Sequence, residues 1–71
     1  MEYAITGRIR RRARGVYLAD LMWDETSDEA YEAFPTLKAA KAWCQEQAGA
    51  EGGRWERVRP DYWRIQWTYT D

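Results

Sequence analysis

Apolar and polar side chains alternate with a period of two through most of this chain. The alternation breaks once, between Phe34 and Trp43. Period two marks a strand with one buried face. In residues 3 to 12, Tyr3, Ile5, Gly7 and Ile9 fall on one side, and Ala4, Thr6, Arg8, Arg10 and Arg12 on the other. Gly7 in the apolar row predicts a bulge or close packing beneath a large side chain. Ala13-Arg14-Gly15 predicts a turn, with Gly15 supplying a positive φ. Residues 16 to 24 form a second strand, with Tyr17, Ala19, Leu21 and Trp23 set against Val16, Leu18, Asp20, Met22 and Asp24. Apolar residues on both faces place that strand centrally in its sheet. Pairing Arg12 with Val16 across a three-residue loop puts Arg8 opposite Asp20, an ion pair worth roughly 0.2–1 kcal/mol.

Glu25 to Ala33 is acidic and holds the turn-forming set Thr26-Ser27-Asp28. Residues 30 to 34 predict a short third strand. At Phe34 the period changes. Leu37, Ala40, Cys44 and Ala48 share one helical stripe with Trp43 on its flank. Thr36 is the expected N-cap and Gly49 the expected residue after the helix. Residues 50 to 53 read as a flexible connection. A second hairpin follows, residues 54 to 59 and 62 to 70, turned by Pro60-Asp61. In its last strand Trp63, Ile65, Trp67 and Tyr69 face one way, expected to pack on the helix with Trp55. Tyr62, Arg64, Gln66, Thr68 and Thr70 face the other way. The order β-β-(β)-α-β-β predicts an α+β fold, a single antiparallel sheet with one helix on one face.

With 71 residues the chain is expected to be a single domain, 1–71. At this size one core barely offsets chain entropy. Five Trp and five Tyr are a remedy, because each buries roughly 150–250 Å². Self-association as a homodimer would be another. The start of the chain shows no basic region followed by an apolar run, and no stretch approaches the roughly 20 apolar residues of a membrane helix. The expectation is a cytoplasmic protein without a membrane partner.

The chemical inventory argues against catalysis. Histidine is absent, which removes the usual general base and argues against a zinc site. The one cysteine, Cys44, lies on the predicted buried stripe. The carboxylates between residues 24 and 32 do not follow the calcium-loop spacing. No glycine-rich phosphate loop precedes the helix. No enzyme activity, metal or cofactor is expected.

Net charge is −1, but its distribution is uneven. Arg8, Arg10, Arg11, Arg12 and Arg14 cluster near the start, and Asp20, Asp24, Glu25, Asp28, Glu29 and Glu32 follow. Arginines on a two-stranded ribbon can read DNA. Two plainer roles compete with that one. The charges could guard an exposed edge strand, or they could pair with the acidic segment. Tyr62 and Arg64 form a second candidate contact surface, because Trp, Tyr and Arg dominate interaction hot spots.

The run Phe34-Pro35-Thr36, followed by Ala40 and Ala42-Trp43, resembles the segment that closes the AP2-like arm-binding domain of phage integrases. That resemblance covers about half of the chain. It implies a DNA-reading sheet face, with Arg8, Arg10 and Arg12 at the positions carrying the role. In size, Trp and Arg richness and the helix preceding a Trp-containing hairpin, the whole chain is similar to small proteins of actinobacterial phages. That likeness implies a phage accessory protein, of host-takeover type, acting on a host protein or on itself in the host cytoplasm. The leading expectation is therefore a non-enzymatic binding protein with a protein partner or self-association. The alternative is nucleic-acid binding through the first hairpin.

Overall fold

The computed structural model describes residues 2–50 and 52–70. The elements are β1 (Glu2–Ala13), β2 (Val16–Trp23), β3 (Asp28–Phe34), α1 (Leu37–Ala48), β4 (Glu56–Arg59) and β5 (Tyr62–Thr70). All strands join one antiparallel sheet in the order β3-β2-β1-β5-β4. This is the α+β architecture expected from the alternation. Ile5, Ile9, Ala19, Leu21, Ile65 and Trp67 are buried on the inner face, facing Ala40 and Cys44 of α1.

β1 is the central strand, so its arginines do not guard an edge. Its residues Glu2 to Arg10 pair with β5, and Ile5 to Ala13 pair with β2. Arg8 does lie opposite Asp20, but Ala13 rather than Arg12 meets Val16. The register shifts between Arg11 and Ala13, leaving Arg12 as the extra residue of a bulge. The turn is thus tighter than the three-residue loop expected, and Gly15 takes it at φ 72°. A second shift, between Arg57 and Arg59, interrupts β4. β3 is longer than expected and forms the far edge. The turn before it holds Asp28 N–H donating to Thr26 Oγ1 at 3.3 Å.

The helix ends follow their local chemistry. Thr36 Oγ1 accepts from Ala39 N–H at 3.1 Å, and Gly49 adopts the left-handed region at φ 64°. Its N–H and that of Ala50 donate to the carbonyls of Glu46 and Gln45. Small residues bring α1 close over β2, with β1 and β3 on its flanks. The β5 backbone lies to the side of that footprint, and Trp63 and Trp67 reach from it into the core they share with α1, as expected. The connection after α1 covers β5, and it is packed rather than loose. Gly52 carbonyl accepts from Trp67 Nε1 at 3.2 Å, and Trp55 meets the Trp67 ring edge-on at 6.3 Å between centroids. Trp55 also lies over Gly7, where a Cβ would sit 3.4 Å from its ring and 3.0 Å from Ile65. Gly7 is therefore the close-packing glycine that its place in the apolar row suggested. Tyr17–Trp63, Phe34–Trp43 and Tyr3–Tyr69 ring contacts extend the same layer, at 6.0, 5.6 and 5.4 Å.

Among the described residues, no helix is long and apolar enough to cross a membrane.

Candidate anion-binding surface

The uncovered face of the sheet carries the even-numbered side of β1. Because β1 and β5 are neighbours, the arginine row and the Tyr62–Arg64 row form one surface rather than two. Arg8 pairs across with Arg64, and Arg10 with Tyr62. Read across the sheet, one row runs Tyr31, Asp20, Arg8, Arg64, Glu56. Opposite charges alternate there except at the two arginines.

Arg8 belongs to the interior of this row. Its Nε donates to Asp20 Oδ1 at 3.0 Å. The hydrogen bond and charge of Asp20 raise its pKa further, against a small desolvation effect. The pair is about one third exposed, so its worth stays within roughly 0.2–1 kcal/mol. For Arg8, then, pairing with the acidic segment is the observed role. Arg64 faces Glu56 on its other side.

The remaining candidates gather elsewhere. Two turns, Arg14-Gly15 and Pro60-Asp61, close the hairpins at the same end of the sheet. Arg11 N–H donates to the Asp61 carbonyl at 2.9 Å, and its guanidinium lies 3.9 Å from the Asp61 carboxylate. These contacts hold the two hairpin tips together. Arg10 lies over the Tyr62 ring at 5.4 Å. Arg57 lies over Trp63 at 5.8 Å and donates to the Pro60 carbonyl at 3.0 Å. Between the tips runs an open groove of about 630 Å³, lined by Arg10, Arg11, Arg12, Arg59, Asp61 and Tyr62 with Pro60. Arg14 stands in the adjoining turn.

Six arginines (Arg10, Arg11, Arg12, Arg14, Arg57 and Arg59) thus lie toward one end, where Asp61 sits between the tips, Glu32 is level with Arg57 across the sheet and Glu56 is next to it. Glu2, Asp24, Glu25, Asp28 and Glu29 lie at the opposite end. The molecule is 40 Å long. An eight-residue strand such as β2 separates the two groups by about 25 Å, beyond the Debye length of about 8 Å at physiological salt. Arg10, Arg12, Arg14, Arg57 and Arg59 make no ion pair to a described carboxylate. Arg57 and Arg59 are not singled out by the sequence, and Arg11 is read there only as part of the arginine cluster. The available signal for Arg57 and Arg59 is their nearness to the Pro60-Asp61 turn, but it is the pairing of β1 with β5 that brings that turn beside the first hairpin.

The groove offers guanidinium donors and one aromatic ring, a set suited to phosphate oxygens. Among the described residues, no three Cys, Asp or Glu side chains converge as a metal site requires. At the acidic end a second cleft, about 530 Å³, opens between the helix terminus and Ile5, Trp23, Trp67 and Tyr69. Tyr69 O–H lies 3.0 Å from Glu25 Oε2 there.

Cys44 is fully buried on α1. Burial, aided by the charge of Asp20, pushes its thiol up from 9.0 to about 12. In the folded protein it should resist iodoacetamide at about pH 8, reacting at least roughly 100-fold slower than in urea, because modification then waits on unfolding. Equal rates would place Cys44 outside the core. The sign of the linkage is also determined. Between pH 9.0 and about 12 the unfolded thiol loses its proton while the folded one keeps it, so stability falls as pH rises through that window.

Compared with protein-family models, curated proteins and solved structures, the chain produced no match.

Proposed function

We propose that this is a non-enzymatic binding protein whose arginine-rich end engages the phosphate backbone of nucleic acid. The separation of charge along the molecule carries the reading. In the linear sequence the acidic segment follows closely on the arginines and would blunt attraction to phosphate. In the fold Asp24, Glu25, Asp28 and Glu29 of that segment lie at the far end, and Asp20, in mid-sheet, pairs with Arg8. The likeness to the arm-binding domain of phage integrases supports the same class of ligand. The surface differs, being the hairpin tips and their groove rather than the middle of the sheet face.

Fluorescence anisotropy with a labelled duplex tests this. If three or four phosphates are neutralised, affinity should fall roughly 40–150-fold between 50 and 200 mM salt. Replacing Arg10, Arg12 and Arg59 with glutamine should flatten the salt dependence by about one unit of log–log slope for each phosphate no longer neutralised. Arg64→Gln, paired beside Glu56 on the open face, should leave binding within about twofold. If folded wild-type protein bound neither duplex nor single-stranded DNA at 50 mM salt, the proposal would be wrong.

A second reading, a protein partner or a second copy of this chain, is favoured by one observation. The edge strand β3 is open along its length, and Tyr31 at its middle is 77% exposed. The phage accessory role suggested by the chain's style would be compatible with either surface.

A further inference from the structure

We infer that a second copy of this chain pairs antiparallel along β3, about a two-fold axis at Tyr31, to continue the sheet. The inference develops the second reading above and is independent of nucleic-acid binding. It starts from the contrast between the two sheet edges. β4 has four residues, carries a bulge at Val58 and is followed at once by Pro60. Those are the devices that keep an edge from pairing. β3 has seven residues, no proline and an unbroken register to β2 from Tyr17–Phe34 to Trp23–Asp28. Its outer backbone groups form a regular template.

The carboxylates of β3 look at first like protection. Asp28, Glu29 and Glu32 would repel a parallel, in-register copy, where each faces itself. The antiparallel register centred on Tyr31 removes that conflict. Tyr31 meets Tyr31, Glu29 meets Ala33, Glu32 meets Ala30, and Asp28 meets Phe34. No carboxylate lies directly opposite another, and the central pair is aromatic, a favourable cross-strand pairing.

The long-range charge agrees. Antiparallel pairing sets the long axes of the copies in opposite directions, so each acidic end lies beside the other copy's basic end. In detail, Asp28 and the turn before it extend past Phe34 of the second copy. There the Arg14-Gly15 turn adjoins the Pro35 carbonyl, and Lys38 lies in the first turn of the helix. The axis is perpendicular to the sheet, so both helices stay on one face and both open faces on the other.

Sedimentation velocity on the wild-type protein at tens of micromolar and low salt should show a dimer. Register is read by cross-linking. At the axis, Tyr31→Cys places two cysteines at a Cα separation of about 4.5–5.5 Å, within disulfide reach. Glu29→Cys would place them about 13 Å or more apart, beyond it. Under mild oxidant Tyr31→Cys should form a reductant-sensitive covalent dimer at least tenfold faster than Glu29→Cys. Both positions are exposed, so folding of the variants is not at issue, and Cys44 is buried and does not compete. A monomer under these conditions would overturn self-pairing and leave the edge to a strand of another protein. A dimer in which both variants cross-link equally fast would overturn this register.

Discussion

Gly53→Ala should cost this protein about 2–4 kcal/mol, a large share of the roughly 4–11 kcal/mol expected for 71 residues. Gly53 has φ 92°, where an L side chain is strained. That term alone is about 1–3 kcal/mol. A Cβ there would lie 2.6 Å from Trp67 Nε1 and 2.9 Å from Ile65 Cδ1. Neither neighbour can yield easily. The Trp67 indole is tied to the Gly52 carbonyl and braced edge-on by Trp55, and Ile65 is buried against the sheet. Relief of the clash therefore requires residues 52–55 to lift from β5, exposing Trp67 and Trp55 together. Urea unfolding followed by tryptophan fluorescence measures the loss. A change below about 0.5 kcal/mol would show that the segment is not a fixed cover.

Leu21→Ala should cost about 2–5 kcal/mol, because the side chain is fully buried and the rigid layers around it cannot collapse onto the space. Leu21 lies in β2 beneath α1, beside Gly7 of β1, so its loss opens a hole where helix and two strands meet. Its neighbour Met22 points to the open face and is 37% exposed. Met22→Ala should stay within about 0.5–1 kcal/mol. The pair therefore tests sidedness as well as packing. Similar losses at both positions in denaturant midpoint, with unchanged slope, would mean that the open face is covered in solution.

What can be read from the sequence is what neighbouring residues decide among themselves. The alternation in residues 3 to 12 and 62 to 70 assigns inner and outer faces, and the buried Ile5, Ile9, Ile65 and Trp67 lie where it puts them. Thr36 and Gly49 act at the helix ends through contacts three or four residues away. Arg8 and Asp20 can be aligned because a single hairpin relates them. The misreadings involve distant partners. Nothing local places β5 beside β1, so β1 reads as a possible edge and the Tyr62–Arg64 row as a separate surface. For the same reason nothing marks Arg57 and Arg59 as companions of Arg10, Arg11, Arg12 and Arg14. Gly52 and Gly53 read as looseness, whereas Gly53 provides room for backbone to approach a tryptophan. The shift at Arg12 has no local signature, since either residue of the turn could have absorbed it.

The central position of β1 also bears on how the chain reaches this structure during synthesis. β1 is made before both of its neighbours, pairing on one side with β2 and on the other with β5, where Glu2 faces Thr70. The β1–β2–β3 meander and the helix can assemble early, since their contacts are local. They would do so with one edge of the central strand open and with Ile65 and Trp67 absent from the core. The sheet closes only when the final nine residues of β5 arrive. Closing it joins segments far apart in sequence, from Arg10 with Tyr62 to Glu2 with Thr70, which raises the contact order and slows that step. Between those events the half-built sheet exposes Ile5 and Ile9 beside an unpaired edge, and that is the interval in which the growing chain is most open to aggregation.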